Sequence, residues 1–229
     1  MTGCEPAKRP SEAPAKPHLP VVTQLDGIDV SHLQGVVDWE QVAASGKVFA
    51  FAKATEGITF VDPQFQANWA GMKKAGLVRG AYGFYRVGDD PKAQARNFLS
   101  QVSLEPGDLP PVVDIETMGG VKMSPTRLAA ELREYLQTLE QATGRRPIIY
   151  TGWGFWDPDL VASFGDHPLW VADYGPGKLR LPDGWTRWTF WQHSQHGQVP
   201  GVSGPVDLDR FAGSRADLDR LCLPQAASK

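Results

Sequence analysis

Short apolar runs rich in β-branched and aromatic residues alternate along the chain with longer segments whose apolar side chains return every three or four positions. The short runs predict strands at Gly27–Val30, Val48–Lys53, Arg79–Tyr85, Val112–Glu116, Ile148–Thr151, Leu169–Ala172, Thr186–Gln192 and Val206–Leu208. The longer segments predict helices at Trp39–Ser45, Gln64–Ala75, Pro91–Val102 and Pro125–Ala142. The last is the clearest. Ser124 is an N-cap followed by Pro125 at the first helical position, Leu128, Leu132, Leu136 and Leu139 recur on one face, and Gly144 supplies the stop. Strands and helices alternating in this way predict βα units around a parallel sheet, and eight strands is the number that closes an α/β barrel. Beyond the fifth strand, Gly, Pro, Asp and Trp replace the helical pattern, so loops and hairpin-like turns are expected to close the later part. There is no internal repeat and no sign of a second domain.

Composition narrows this picture. With 229 residues, 41% hydrophobic and 21% charged, the chain has the make-up of a soluble globular protein, and a net charge of -3 gives no reason to expect nucleic acid as a partner. The longest apolar runs, such as Val48–Ala52, are far too short to cross a bilayer. Residues 1–24, with Pro6, Pro10, Pro14, Pro17 and Pro20, are expected to form a disordered tether, residues 25–223 a single barrel domain, and 224–229 a flexible tail. Thr2-Gly3-Cys4 resembles the end of a bacterial lipoprotein signal, so a membrane tether through lipidated Cys4 is expected of the native precursor, unless the resemblance is accidental; no apolar signal region precedes it here. Cys4 and Cys222 make no disulfide framework, and His32, His167, His193 and His196 lack metal-ligand spacing. No metal and no cofactor are expected. The serines lack the G-x-S-x-G context of a nucleophile elbow.

The acids carry the candidate chemistry. Asp114 and Glu116 end an apolar strand two positions apart, so their side chains share a face. Asp29 ends the first strand, Asp173 lies just past the sixth and Asp207 sits in the eighth, while reactive groups of an α/β barrel gather at the carboxyl ends of its strands. Acids placed together in a low-dielectric cleft push their titrations apart, one held protonated and another charged, which suits a general acid and its partner. The plainer reading is that D-x-E is a solvated strand end or helix cap, and that Asp29 and Asp207 hydrogen-bond strand-end amides or pair with Arg210.

Read in order, several segments resemble glycoside hydrolase family 25, the Chalaropsis-type lysozymes. They are Gly27-Ile28-Asp29-Val30-Ser31-His32-Leu33-Gln34-Gly35 with Asp38-Trp39, Phe51-Ala52-Lys53-Ala54-Thr55-Glu56-Gly57 with Asp62-Pro63, Gly80-Ala81-Tyr82-Gly83-Phe84-Tyr85, and Asp114-Ile115-Glu116. Ile149-Tyr150-Thr151, Leu169-Trp170-Val171-Ala172, Phe190-Trp191-Gln192 and Val206-Asp207-Leu208-Asp209-Arg210-Phe211 continue the series. The resemblance implies an irregular TIM-like barrel of α/β class, five βα units followed by three strands. It also implies hydrolysis of the β-1,4 bond from N-acetylmuramic acid to N-acetylglucosamine in peptidoglycan glycan strands.

Under that resemblance Glu116 is expected to be the general acid, and Asp114 to stabilise the developing positive charge or orient the substrate's 2-acetamido group. Asp29 and Asp207 are expected to flank the pair. Tyr82, Phe84, Tyr150, Trp170, Tyr174 and Trp191 are candidates for a groove wall against sugar rings, or for core packing, and Asp173 for binding sugar hydroxyl or acetamido groups or capping a loop. Two positions depart from the family: Asp209, where many relatives carry Asn, and Gly83, where a His often stands. The wall substrate implies an extracytoplasmic enzyme, and a monomer is expected. The rival readings are another acetamido-sugar hydrolase, chitinase-like, and a cell-wall binding module without catalysis.

Overall fold

The computed structural model describes residues 24–156 and 164–224; Cys4, the tether up to residue 23 and residues 225–229 of the expected tail lie outside them. Among the described residues there are nine strands: β1 (Gln24–Val30), β2 (Phe49–Glu56), β3 (Phe60–Val61), β4 (Val78–Phe84), β5 (Val112–Asp114), β6 (Ile148–Gly152), β7 (Leu169–Ala172), β8 (Phe190–Gly197) and β9 (Val206–Ala212). The helices are α1 (Trp39–Ala44), α2 (Phe65–Lys74), α3 (Pro91–Gln101), α4 (Pro125–Thr143) and α5 (Arg215–Leu221). The sheet order is β1-β9-β8-β7-β6-β5-β4-β2-β3, and β1 also pairs with β2, so every strand except β3 belongs to a closed eight-stranded barrel. Helices α1 to α4 join successive barrel strands from β1 to β6, and β7, β8 and β9 complete the circuit.

Local sequence sets the helix boundaries. Asp38, Asp90 and Ser124 each accept a backbone N–H three residues on, and Pro91 and Pro125 stand in the first turn of their helices. The leucine face of α4 is buried as its spacing predicts, and the helix ends at Gly144, whose φ of 67° is left-handed. Helix α5 was not foreseen. It is short and buries only Leu218, and its signal was the reciprocal cap between Ser214 and Asp217.

Three expectations about strands need correction. First, the barrel is not parallel throughout: β9 runs antiparallel to both β8 and β1. The connection from β8 to β9, residues 198–205, is too short for the dozen or so residues that a parallel crossover requires. Second, the strand expected at Thr186–Gln192 is Phe190–Gly197, because pairing with β7 begins at Phe190 and the polar continuation is held in a hairpin with β9. Third, β5 stops at Asp114, and Glu116 lies beyond the ladder.

Two apolar layers result from the alternation of side chains across the sheet. The outer layer, between sheet and helices, holds Ile28, Ala52, Phe65, Met72, Phe98, Val113 and Leu132. The inner layer fills the barrel with Phe49, Phe51, Val112, Ile148, Trp170, Phe190 and Phe211. Phe51 and Trp170 stack with centroids 4.2 Å apart. Such rings fit because Gly27 and Gly80 face them: a Cβ at either position would stand within 2.4 Å of a Phe49 or Phe51 ring atom. The interior is therefore a packed plug, with a pit at the rim where the parallel strands end.

At the amino-terminal side of the strands, Arg79 is buried against Asp108, with Nε to Oδ1 at 2.7 Å and Nη2 to Oδ2 at 3.1 Å, and its guanidinium lies 4.0 Å from the Trp69 ring centre. Removing Asp108 leaves the buried guanidinium with only the more exposed Glu105, 3.5 Å away, and the Trp69 carbonyl. Asp108→Ala is expected to lower unfolding free energy by about 3–5 kcal/mol; urea denaturation checks this, and a loss below about 1 kcal/mol, the range of exposed pairs, contradicts it.

Candidate active site

The open rim collects the acids. Asp29 is the inward-facing residue near the end of β1, two positions after Gly27, and Asp114 is the last residue of β5. Asp207 comes from the beginning of β9, not the end of a strand as expected; because β9 runs the other way, its start meets the end of β1, with Asp207 paired opposite Asp29. Glu116, two residues past Asp114, keeps to the same side. All four acids line one cavity of about 110 Å³ together with Tyr82, Tyr150, Trp170 and Gln192. Glu116 also borders an open cavity of about 540 Å³ that runs over Trp153, Asp173, Tyr174, Arg180 and Gln195. It stands at the junction of a narrow pit and a wide groove.

The remaining sequence-selected residues divide. Tyr150 donates its hydroxyl to Gln192 Oε1 at 2.8 Å, and the Tyr174 hydroxyl bonds the same oxygen. Trp170 forms the floor, almost wholly buried, with its Nε1 donating to Asp209 Oδ1 at 2.9 Å. Asp173 is buried under Arg180, which bonds it through Nε at 3.1 Å and through its backbone N–H at 2.9 Å. Phe84 borders neither cavity; it lies beneath the Lys53 ammonium, 5.0 Å from the ring centre. Trp191 is on the outer face of β8, packed with the helix-side layer, while its neighbour Gln192 faces inward.

Sequence reasoning missed Gln192, Trp153, Arg180 and Lys53. Period-two counting from Phe190, a barrel-interior residue, would have selected Gln192 over Trp191, had the strand begun at the right place. The glycine that replaces a family histidine proves remote from the pit. A Cβ at Gly83 would point into the outer layer, 2.8 Å from the Tyr135 hydroxyl and 3.0 Å from Phe98, so no imidazole is missing from the cavity.

Burial and mutual repulsion shape the titrations. Burial lifts the Asp114 carboxyl well above its usual range, and Glu116 lifts it further. Partial desolvation also raises Glu116, although its side chain is exposed at the rim, against the pull of the Lys53 ammonium. Asp207 is pushed up to about 6 by burial and by Glu116, and Asp29 is raised by burial and by Asp209 and Asp207. Each of these acids therefore holds its proton to a higher pH than an ordinary carboxyl does, as a proton donor must. Asp114 Oδ1 is buried without a hydrogen-bond partner. Among the described residues, no grouping of His, Cys, Asp and Glu has the geometry to hold a metal ion. Acid and base chemistry at a sugar-sized groove is what this arrangement can perform.

A sequence profile of glycosyl hydrolases family 25 matches residues 28–202. The chain belongs to that family. It is 41% identical over 206 residues to the uncharacterized protein YegX of Escherichia coli K12, covering 87% of this chain and 74% of that one. It is 38% identical to lysozyme M1 of Streptomyces globisporus over 85% of this chain and 70% of that one. The crystal structure of a bacterial lysozyme from Streptomyces coelicolor superposes with a TM-score of 0.81 at 37% identity, covering 86% of this chain and 96% of that one. The family 25 chain is thus a glycoside hydrolase with a lysozyme barrel.

Lys53 is the cation that opposes the upward shift of Asp114 and Glu116. Its Nζ lies 2.6 Å from Glu56 Oε2, which fixes it at the rim. Lys53→Met removes a charge that favours the ionised carboxyls, so both should titrate higher. The alkaline limb of the kcat/KM profile is expected to move up by about one pH unit or less, below the 1–3 units typical of a directly paired acid. A limb that moves down in a pH-rate series contradicts this.

Proposed function

We propose that the pit hydrolyses the β-1,4 bond between N-acetylmuramic acid and N-acetylglucosamine in peptidoglycan, with retention of configuration, using Glu116 as acid and base and Asp114 as the orienting carboxylate. The unpartnered, buried Oδ1 of Asp114 carries this reading. A sugar's acetamido N–H is the donor that this oxygen lacks. Once that N–H is donated, the Asp114 anion is stabilised and the proton of the pair moves to Glu116, the more exposed acid at the groove junction. Glu116 then protonates the glycosidic oxygen as the C–O bond breaks, while the acetamido oxygen attacks the anomeric carbon and forms a cyclic oxazolinium. The Glu116 carboxylate next removes a proton from water, whose oxygen opens that ring, and the acid is restored.

Asp29 and Asp207 contribute negative charge beside the oxocarbenium-like centre. Tyr82, Tyr150 and Trp170 line the pit, and Asp173, Tyr174 and Trp153 border the groove against which sugar rings lie. Phe84 and Trp191 support the walls from behind. Relatives named lysozyme and muramidase support the substrate class. A sacculus substrate places the enzyme's work outside the inner membrane, with Cys4 as a lipid anchor; a mass spectrum of bacterially made full-length protein with unmodified Cys4 rejects the anchor.

Glu116→Gln is expected to retain its circular dichroism spectrum and lose activity on purified sacculi by about a thousandfold or more. Near-normal release of reducing ends by this variant rejects the assignment. Mass spectrometry should find new N-acetylmuramic acid reducing ends; cleavage of chitin in preference to sacculi favours the chitinase-like rival. In NMR of the wild-type reaction the β anomer should appear first, and an initial α product excludes retention.

A further inference from the structure

Below the pit lies a carboxyl group that the proposed reaction does not use. Asp209 is fully buried on β9, the next inward-facing residue after Asp207. Pairing places it opposite Gly27 on β1 and Gln192 on β8, so it sits one layer beneath Asp29. Its Oδ1 accepts from Trp170 Nε1 at 2.9 Å, and its Oδ2 is buried with no hydrogen-bond partner.

Asp29 is in the complementary position. Its Oδ2 accepts from Gln192 Nε2 at 2.6 Å. In this orientation the hydroxyls of Tyr150 and Tyr174 both donate to Gln192 Oε1. Each acid thus receives one N–H, on one oxygen, and the register of β1 and β9 sets the two diagonally adjacent on the inner face. Two adjacent carboxylates have no hydrogen to share, and a buried acceptor left unsatisfied is costly.

We propose that Asp209 and Asp29 share one proton through neutral pH, which makes Asp209 a positioning residue that fixes Asp29 at the mouth of the pit. The shared hydrogen gives the unpartnered Asp209 oxygen a partner and halves the charge of the pair. The surroundings agree. Burial and Asp207 push Asp209 up, to about 8, and the Trp170 N–H, Asp29 and the cation Lys47 only partly oppose them. Asp29 is raised by burial and by the same two acids, against the Gln192 N–H.

The consequence for stability has a definite sign. A carboxyl pair that takes up a proton on folding stabilises the native state at low pH, and that contribution is lost as pH rises from the ordinary carboxylate value through about 8. Asp209→Asn supplies a permanent N–H to Asp29 and keeps an oxygen for Trp170, whereas Asp209→Leu supplies neither.

Three measurements on the full chain test this. In infrared difference spectra of wild type minus D209N near neutral pH, one protonated-carboxyl C=O band should appear, beyond the band of the Asp114–Glu116 pair that both proteins keep. The Tm of the wild type should fall relative to that of D209N between about pH 5 and about pH 9. On sacculi, D209L should lower kcat about tenfold or more with KM little changed, and D209N should restore most of that loss. The activity arm rests on the role given to Asp29 in the proposed reaction; the infrared and thermal arms do not, so failure of either reading is distinguishable. An unchanged carboxyl band in D209N, parallel Tm curves, or a D209N as poor as D209L overturns the proposal. If D209L does not fold, the infrared and thermal comparison of wild type with D209N still decides.

Discussion

Four carboxyl groups, Asp29, Asp114, Glu116 and Asp207, meet at the mouth of one aromatic-filled barrel with Asp209 beneath them, and burial and repulsion hold all five above the ordinary carboxyl range. The packed interior beneath them denies water to the deeper members, and the outer members repel one another. Protons must stay bound near neutrality, and each local partner decides where: Lys53 at the rim, Gln192 and Trp170 on the floor. The chemistry of the site is an outcome of that constraint.

The barrel sustains this arrangement by two devices. Gly27 and Gly80 give up their side chains so that Phe49, Phe51 and Trp170 can fill the centre, which makes the floor apolar and rigid. The reversed β9 then brings the start of a strand to the rim where the others end, so that Asp207 joins Asp29 and Asp209 lies beneath it. A parallel ninth strand would carry these acids to the opposite end. Closure of the sheet and assembly of the acidic site are one event.

Much of this was legible along the chain. The four crossover helices, the cap and stop of α4, and the positions of β1, β2, β4, β6 and β7 follow from periodicity and from Asp, Ser, Pro and Gly at the boundaries. The acids stood out because ionisable residues interrupt apolar strands at a repeated place. Less legible was β8, whose polar hairpin half has no alternation to betray it, and so Gln192 was passed over for Trp191. The glycine at position 83 looked like a missing functional group, but the space beside it is taken by Tyr135 and Phe98 in the other layer.

The sequence by itself determined which segments become strands and helices and which residues bring charge to strand ends, because those are matters of local propensity and of side chains alternating across a ladder. Only the tertiary structure decided the direction of β9, which acid stands beside which, and the lone oxygens of Asp114 and Asp209. Those depend on pairings between residues far apart in the chain, and solvation and repulsion among carboxyls are set by distance in space.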